Sequence, residues 1–475
     1  MRAQIRQKKR GLLHRSDFPI IGAPVEKSTV ERSLDASIKD GASYNVMVGF
    51  GELYIGACAV SLGASDTLVA LLSTVPLFLG SCAQCVTPSL IDRTGRRRRW
   101  YMLGSTLQAM SWIPMIASLL VHKTPGFWLL LSGFVLYFMM IQFTIPAWLS
   151  VMGDLVAPES RGRYFGRRTA FGILLQFCAG VLGGLGLWIF KKHGLERWGF
   201  VTIFGAAFLA RLTSVYFLSR MVEPRYTPRE EESFTLWMFL RRLPHSNFAK
   251  FVVFVGCLTA SAQLVGCLFP LYWLRTLHYP YWWQYTACVT ALTVVQIPAL
   301  LFWGRMADRY GNKRVLTVPA VAIAILPGLW LLSSNVFLSI FLQMWSGFFW
   351  SGFNQSVQNF LLDAVTPPKR ARCNAYLSLI TNFGLLVGGV TGAIAINYVP
   401  KDFGPLHLPY AFWTLLIASF LLRSTAVAVF LPLFREVRDV PKIGVVEMIY
   451  ASTLDSAESA VNLMASLVQR GGRES

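Results

Sequence analysis

The sequence predicts an all-α membrane protein, with twelve transmembrane helices in two pseudo-symmetric six-helix bundles. Three observations lead there. The 475 residues are 54% hydrophobic and only 14% charged, whereas a soluble chain carries about 25% charge. Apolar stretches of roughly 20 residues, long enough to cross a bilayer as helices, recur along the chain. A tight basic turn at residues 304–316 (GRMADRYGNKRVL) has an earlier copy at 88–100 (PSLIDRTGRRRRW), and Asp92 and Asp308 stand 216 residues apart. In each turn glycine supplies the positive φ that reverses the chain. The surrounding Lys and Arg hold the loop on the cytoplasmic side.

Residues 1–40 read as a basic, polar, cytoplasmic tail, with an amphipathic piece at 33–39 suited to the membrane surface. The start, MRAQIRQKKRGLLHR, lacks the apolar core and small-residue cleavage site of a signal peptide. The first bundle, 41–220, takes spans at 42–63, 67–90, 100–121, 127–152, 169–190 and 199–220. Residues 221–250 form a cytoplasmic linker whose prolines and mixed charges separate the halves. The second bundle, 251–434, takes spans at 251–272, 283–303, 314–333, 336–361, 373–397 and 411–432. Tyr279, Tyr281, Trp282, Trp283 and Tyr285 suit an aromatic belt at the membrane surface. Residues 435–475 are a cytoplasmic tail, amphipathic and helical over 442–468.

Charge placement sets the orientation. Loops on one side of these spans carry 21 Lys and Arg, and loops on the other carry six. The positive-inside rule therefore puts both termini in the cytoplasm. The same placement accounts for the net charge of +20 without nucleic acid as a partner.

The repeat runs beyond the basic turn. Asp154-x-x-x-Pro158-x-x-Arg161-x-Arg163 parallels Asp363-x-x-x-Pro367-x-x-Arg370-x-Arg372, and Arg211 parallels Arg423. Gly304, Ala307, Asp308, Arg309, Gly311 and Lys313 resemble the G-x-x-x-D-R-x-G-x-[RK] loop signature of the major facilitator superfamily. Asp92, Arg93 and Gly95 carry its core, with Pro88 where the first glycine would stand. The resemblance covers about residues 40–435 and is nearest to uncharacterised bacterial permeases of that superfamily. It implies a cytoplasmic gate in each half. In the first, Asp92, Arg93, Gly95 and Arg96 would meet Asp154 and Arg161. In the second, Gly304, Asp308, Arg309, Gly311 and Asp363 would do the same, with Lys313 substituting because Asn312 stands where Arg96 stands in the first. Solvated loop charges of little energetic weight are the plainer reading.

Within the spans as drawn, Glu52 is the one well-internal acid. A carboxyl in low dielectric exchanges its proton nearer neutral pH than one in water. Glu52 is therefore the candidate for proton coupling, or else a protonated Glu bonded to a neighbouring helix. The resemblance implies a central substrate cavity, and places Asn45, Glu52, Gln142, Trp148, Gln263, Trp345, Asn354 and Gln355 on helices that line it. The amides equally suit interhelical hydrogen bonds and the rings ordinary packing. Arg211 and Arg423 suit snorkelling to the headgroups or a bond to a half-internal carbonyl. Gly180-x-x-x-Gly184 and Gly384-x-x-x-Gly388 suit close helix approach.

No catalytic, metal or cofactor site is predicted. Cys82-x-x-Cys85 on a membrane helix suits packing, HExxH is lacking, and no G-x-x-x-x-G-K-[ST] loop binds ATP. The expected protein is a monomeric secondary transporter in the cytoplasmic (inner) membrane. It moves a small organic solute by alternating access, with a proton or another ion as co-substrate and lipid as surroundings. The alternative is a transport-inactive member of the fold acting as a membrane sensor or scaffold.

Overall fold

The computed structural model describes residues 27–121, 123–156, 161–224, 241, 246–332, 334–365, 370–399, 402–403, 406–407 and 410–437. Among these, helices form every long element, and ten of them are long and apolar enough to cross a membrane. A two-residue antiparallel hairpin, β1 (Asp402–Phe403) and β2 (Leu406–His407), is the one strand pairing described. The chain divides into two compact units, Met1–Glu231 with Pro280–Trp283, and Glu232–Tyr279 with Gln284–Ser475.

In the first unit, α1 spans Lys27–Phe50. Residues 27–40, expected as tail, are its first turns, because Ser33, Ser37 and Asp40 are buried against the rest of the unit. The surface piece expected at 33–39 is thus part of this helix. Gly51 ends it where a Cβ would overlap the Trp112 ring. The chain goes on as a 3-10 turn, Glu52–Tyr54, and α2, Ile55–Ser61. A short 3-10 segment within a helical path is a common mark of a hinge.

α3 covers Asp66–Thr94, capped by the Ser65 hydroxyl and closed by Gly95 at φ 64°. The single span expected at 100–121 is two helices, α4 (Arg97–Met110) and α5 (Trp112–Ala117). Pro114 has no N–H for the Met110 carbonyl, so the break falls at Ser111. α6 (Lys123–Leu155), α7 (Arg161–Lys192) and α8 (Glu196–Ser219) complete the unit. α1 and α7 approach backbone to backbone: a Cβ on Gly49 would overlap the Gln176 carbonyl and stand 3.0 Å from the Gly180 nitrogen.

In the second unit, α9 (Asn247–Gly266) leads through α10 (Phe269–Leu271) and two wide turns (Tyr272–Thr276, Tyr281–Tyr285) to α11 (Thr286–Tyr310). α12 (Asn312–Leu329), α13 (Val336–Ala364), α14 (Arg370–Ala395) and α15 (Ala411–Phe430) follow. Gly388 and Gly392 of α14 lie against the Ala260 and Leu264 carbonyls of α9, where a Cβ would overlap. The core is aromatic: Phe251 and Phe360 rings are 4.3 Å apart, with Phe434 edge-on to both. Tyr279 and Tyr285, expected in a surface belt, are buried, and the Tyr279 hydroxyl donates to the Ser334 carbonyl at 2.9 Å. The amphipathic stretch 442–468 lies outside the described residues.

Candidate functional site

The interior of the first unit holds the chemistry. α1 carries Asp40, Tyr44 and Asn45, and the turn beyond it carries Glu52. Asp40 is 4% exposed and ion-paired to Arg168 of α7 at 3.1 Å. Its other oxygen accepts from the Ser214 hydroxyl of α8 at 2.6 Å and stands 3.9 Å from the Arg211 guanidinium. Arg211 donates to Ser214 and lies 5.2 Å from the Tyr44 ring centroid. Tyr44 lies within electrostatic reach of Tyr137 of α6, and Tyr137 donates to Glu52 Oε2 at 2.6 Å. Side chains from α1, α6, α7 and α8 thus meet in one polar cluster.

Its charges nearly cancel. Asp40 opposes Arg168 and Arg211, so Glu52 decides whether the cluster is neutral or carries one positive charge. Buried charges are tolerated only when paired and hydrogen-bonded. An ionised Glu52 therefore has a cationic neighbourhood to balance it, and a protonated one leaves the charge on the arginine side. Arg211 and Arg423 are 2% and 4% exposed, so headgroup snorkelling gives way to the other expectation, internal bonding, which Arg423 meets at the Ile323 and Ala262 carbonyls. Internal partners hold both, so neither reaches for the surface.

Each unit also has a charged cluster at its basic turn. Arg97 donates to Asp154 at 2.6 Å, to the Ser150 carbonyl and hydroxyl at 3.0 Å, and to the Pro224 carbonyl at 2.7 Å. The partner of Asp154 is therefore Arg97, 1% exposed, and the expected Arg96 is exposed ahead of α4. At the start of a helix, one residue's shift turns a side chain by about 100°, which moves Arg97 inward and Arg96 out. Asp92 and Arg93 are exposed, and Gly95 makes the turn. The side chain of Arg161 lies outside the described residues. In the second unit Asn312 donates to Asp363, and Lys313 turns its ammonium to the Phe434 carbonyl. The expected Lys313 substitution is thus replaced by Asn312. Gly311 turns at φ 86°, Arg309 stacks on Tyr310, and Gly304 faces the Gln355 amide. The Asp308 side chain lies outside the described residues.

Each expected cavity residue has surroundings within its own unit. Asn45 donates to the Gly41 carbonyl at 2.7 Å and packs on Gly172. Gln142 packs on Gly80, and Gln263 lies beside Gly266 of its own helix. Trp148 stacks under the Arg168 guanidinium at 4.5 Å and so borders the polar cluster. Trp345 packs on Phe349, Asn354 is exposed, and the buried Gln355 Oε1 has no hydrogen-bond partner among the described residues.

Sequence reasoning missed Asp40, Arg168, Glu223 and Glu436. Asp40 fell one residue outside the first bundle as drawn. Glu223 accepts from the backbone N–H of Arg97 at 2.6 Å and of Arg98 at 3.1 Å; Glu436 accepts from that of Lys313 at 2.7 Å. Both glutamates sit just past the last helix of their unit, a repeat signal hidden because they had been assigned to linker and tail.

Ten long apolar helices, a basic turn in each compact unit and a buried charge cluster in the first define a multi-pass membrane protein with a polar interior. The profile of the Major Facilitator Superfamily matches residues 42–289 and 283–448, so the chain belongs to that superfamily of multi-pass membrane transporters. Solved structures with the same fold include a variant of the nucleoside transporter NupG, 15% identical with a TM-score of 0.66 over 85% of this chain and 100% of that one. A D-xylose–proton symporter is 13% identical with a TM-score of 0.61 over 86% and 98%. The efflux pump azaK of Aspergillus niger is 28% identical over 137 residues, which is 29% of this chain and 28% of that protein's length.

Proposed function

We propose that the protein is a proton-coupled secondary transporter that moves a small neutral or amphiphilic organic solute across the cytoplasmic membrane by alternating access. The observation that carries it is the Glu52–Tyr137 hydrogen bond at a break in the first helix. A carboxyl there changes charge where the helix is least regular, next to a cluster whose balance depends on it. In this reading the broken pieces 27–61 and 97–117 are counted as crossings beside the ten long apolar helices, and both termini face the cytoplasm by the Lys and Arg bias of the loops. Support for the solute class comes from the few charges inside the helices. The fold neighbours named for nucleosides and D-xylose handle neutral polar solutes.

The test is flux in vesicles of purified protein, with and without an imposed pH gradient. Glu52→Gln keeps size and hydrogen bonding and fixes the neutral state. It is expected to abolish gradient-driven accumulation and spare solute binding. Accumulation with wild-type pH dependence in that variant would falsify the coupling role. Reporter fusions at Lys192 or Lys401 that prove cytoplasmic would overturn the orientation.

A further inference from the structure

The polar cluster leaves part of the first unit unaccounted for. Along α4 and into α5, Tyr101, Ser105, Gln108 and Trp112 fall on one face by their spacing of four, three and four. All four are 0% exposed. Yet the Tyr101 hydroxyl, the Ser105 hydroxyl, both ends of the Gln108 amide and the Trp112 indole N–H have no hydrogen-bond partner among the described residues. Isolated buried polar atoms are rare, because an unpaired buried donor or acceptor keeps its full desolvation penalty. Five on one helical stripe point to a shared occupant that is small and both donates and accepts.

The stripe runs beside the acids of α1. At one end the Trp112 ring abuts Gly51, next to Glu52, and lies 5.7 Å from the Tyr137 ring. At the other, Tyr101 sits within electrostatic reach of Asp40, Glu223, Arg97 and Arg98. Arg211 Nε, which faces Asp40, also has no hydrogen-bond partner among the described residues. By helix rise Tyr101 and Trp112 are about 16 Å apart, and Asp40 and Glu52 about 18 Å. Two polar stripes of matching length run side by side: Trp112 abuts Gly51 at one end, and at the other Tyr101 shares an apolar cluster with Ala36, one turn before Asp40.

We propose that this stripe holds a file of ordered waters inside the first unit, and that the file carries protons between Glu52 and Asp40. The second clause rests on the proton-coupled reading above. Buried water takes two to four polar partners, which the stripe and cluster supply. In the transfer, the Glu52 carboxyl gives its proton to the first water. Each water passes one on, and the Asp40 carboxylate receives one. No water is consumed, and one negative charge moves from Asp40 to Glu52. Around the path stand Tyr44 of α1, Arg97, Arg98 and Tyr101 of α4, Tyr137 of α6, Arg168 of α7 and Arg211 of α8, with Glu223 beyond α8.

X-ray radiolytic footprinting of the full-length protein in lipid nanodiscs tests the water file directly, because radicals form at ordered buried water. Tyr101 and Trp112 are expected to label like the exposed Tyr216 and Trp128. The controls are Tyr54 and Trp303, equally buried but bonded to the Gly180 and Phe348 carbonyls. Labelling at the level of those controls overturns the proposal. Ser105→Ala and Gln108→Leu are expected to abolish labelling of Tyr101 and Trp112, leave Trp128 unchanged, and suppress pH-driven flux while sparing solute binding. A variant that loses the labelling but keeps pH-driven flux overturns the proton path. Failure of Glu52→Gln to alter flux overturns the coupling role and leaves the hydrated stripe standing, so the two readings fail separately.

Discussion

Arg211 and Arg423 stand at matching places in the two units, and each is buried, yet they are neutralised in opposite ways. Arg211 faces the Asp40 carboxylate and Ser214. Among the described residues Arg423 has neutral oxygens: the Ile323 carbonyl at 2.9 Å, the Ala262 carbonyl at 3.2 Å and Ser419 at 3.0 Å. The basic turns differ likewise. In the first unit an arginine meets Asp154; in the second an uncharged amide meets Asp363. The glycine crossings and the glutamates that cap the helices after the turns are kept in both. Packing and capping are alike in the two units, while among the described residues the buried pairing of acid with arginine is in the first.

Removing a partner from each buried arginine should separate the two units most. Asp40→Ala leaves Arg168 and Arg211 without their carboxylate, and stranding buried charge costs about 3–5 kcal/mol. Unfolding in detergent, followed by tryptophan fluorescence, should show this loss, and Arg211→Met added to Asp40→Ala should recover part of it. Arg423→Met strands no acid among the described residues; it loses three hydrogen bonds but relieves the burial of a cation, so the net cost should be about 1 kcal/mol. Equal losses in the two units would contradict the assignment of an ion pair to one and carbonyls to the other.

The turns come next. Arg97→Ala removes donors to Asp154, Ser150 and Pro224, and should cost about 2 kcal/mol, since hydrogen bonds to charged groups are the stronger class. Asp154 is half exposed, so part of that loss should fade as salt rises. Asn312→Ala should cost about 1 kcal/mol. Thermal melts across a salt series measure both, and a salt-independent Arg97 effect would argue that its carbonyl bonds matter more than Asp154.

The fold was legible because its signals are long: apolar length, loop charge and a repeated turn each average over many residues. The site was legible only where a single residue broke a strong rule. Glu52 stood out because an acid inside an apolar stretch is conspicuous. Asp40 did not, because α1 begins at Lys27 and its early turns are polar enough to pass for tail, although the bundle buries them. Arg96 was preferred to Arg97 because spacing alone does not give the helical phase at the start of α4. The Tyr101–Trp112 stripe was invisible for a similar reason. Its residues are unremarkable singly, and only the packing removes their partners.

The smallest effect should be the most symmetrical. Glu223 and Glu436 each accept a backbone N–H from the first residues of a helix, where those groups lack partners within the helix and the helix dipole favours negative charge. Substitution of such a cap costs about 0.5–2 kcal/mol. Glu223→Gln and Glu436→Gln keep an acceptor and remove only the charge, so about 0.5 kcal/mol is expected from each. Glu223 also serves the Arg98 N–H, which should make its loss the slightly larger of the two. Glu223→Ala and Glu436→Ala remove the acceptor as well and should roughly double each effect. Paired melts of the four variants decide it. Near-equal shifts for the two units mean that the caps were retained through duplication as structural parts. A Glu223 effect several times that of Glu436 would mean that the first turn, like the first unit's interior, has taken on a charge role that the second lacks.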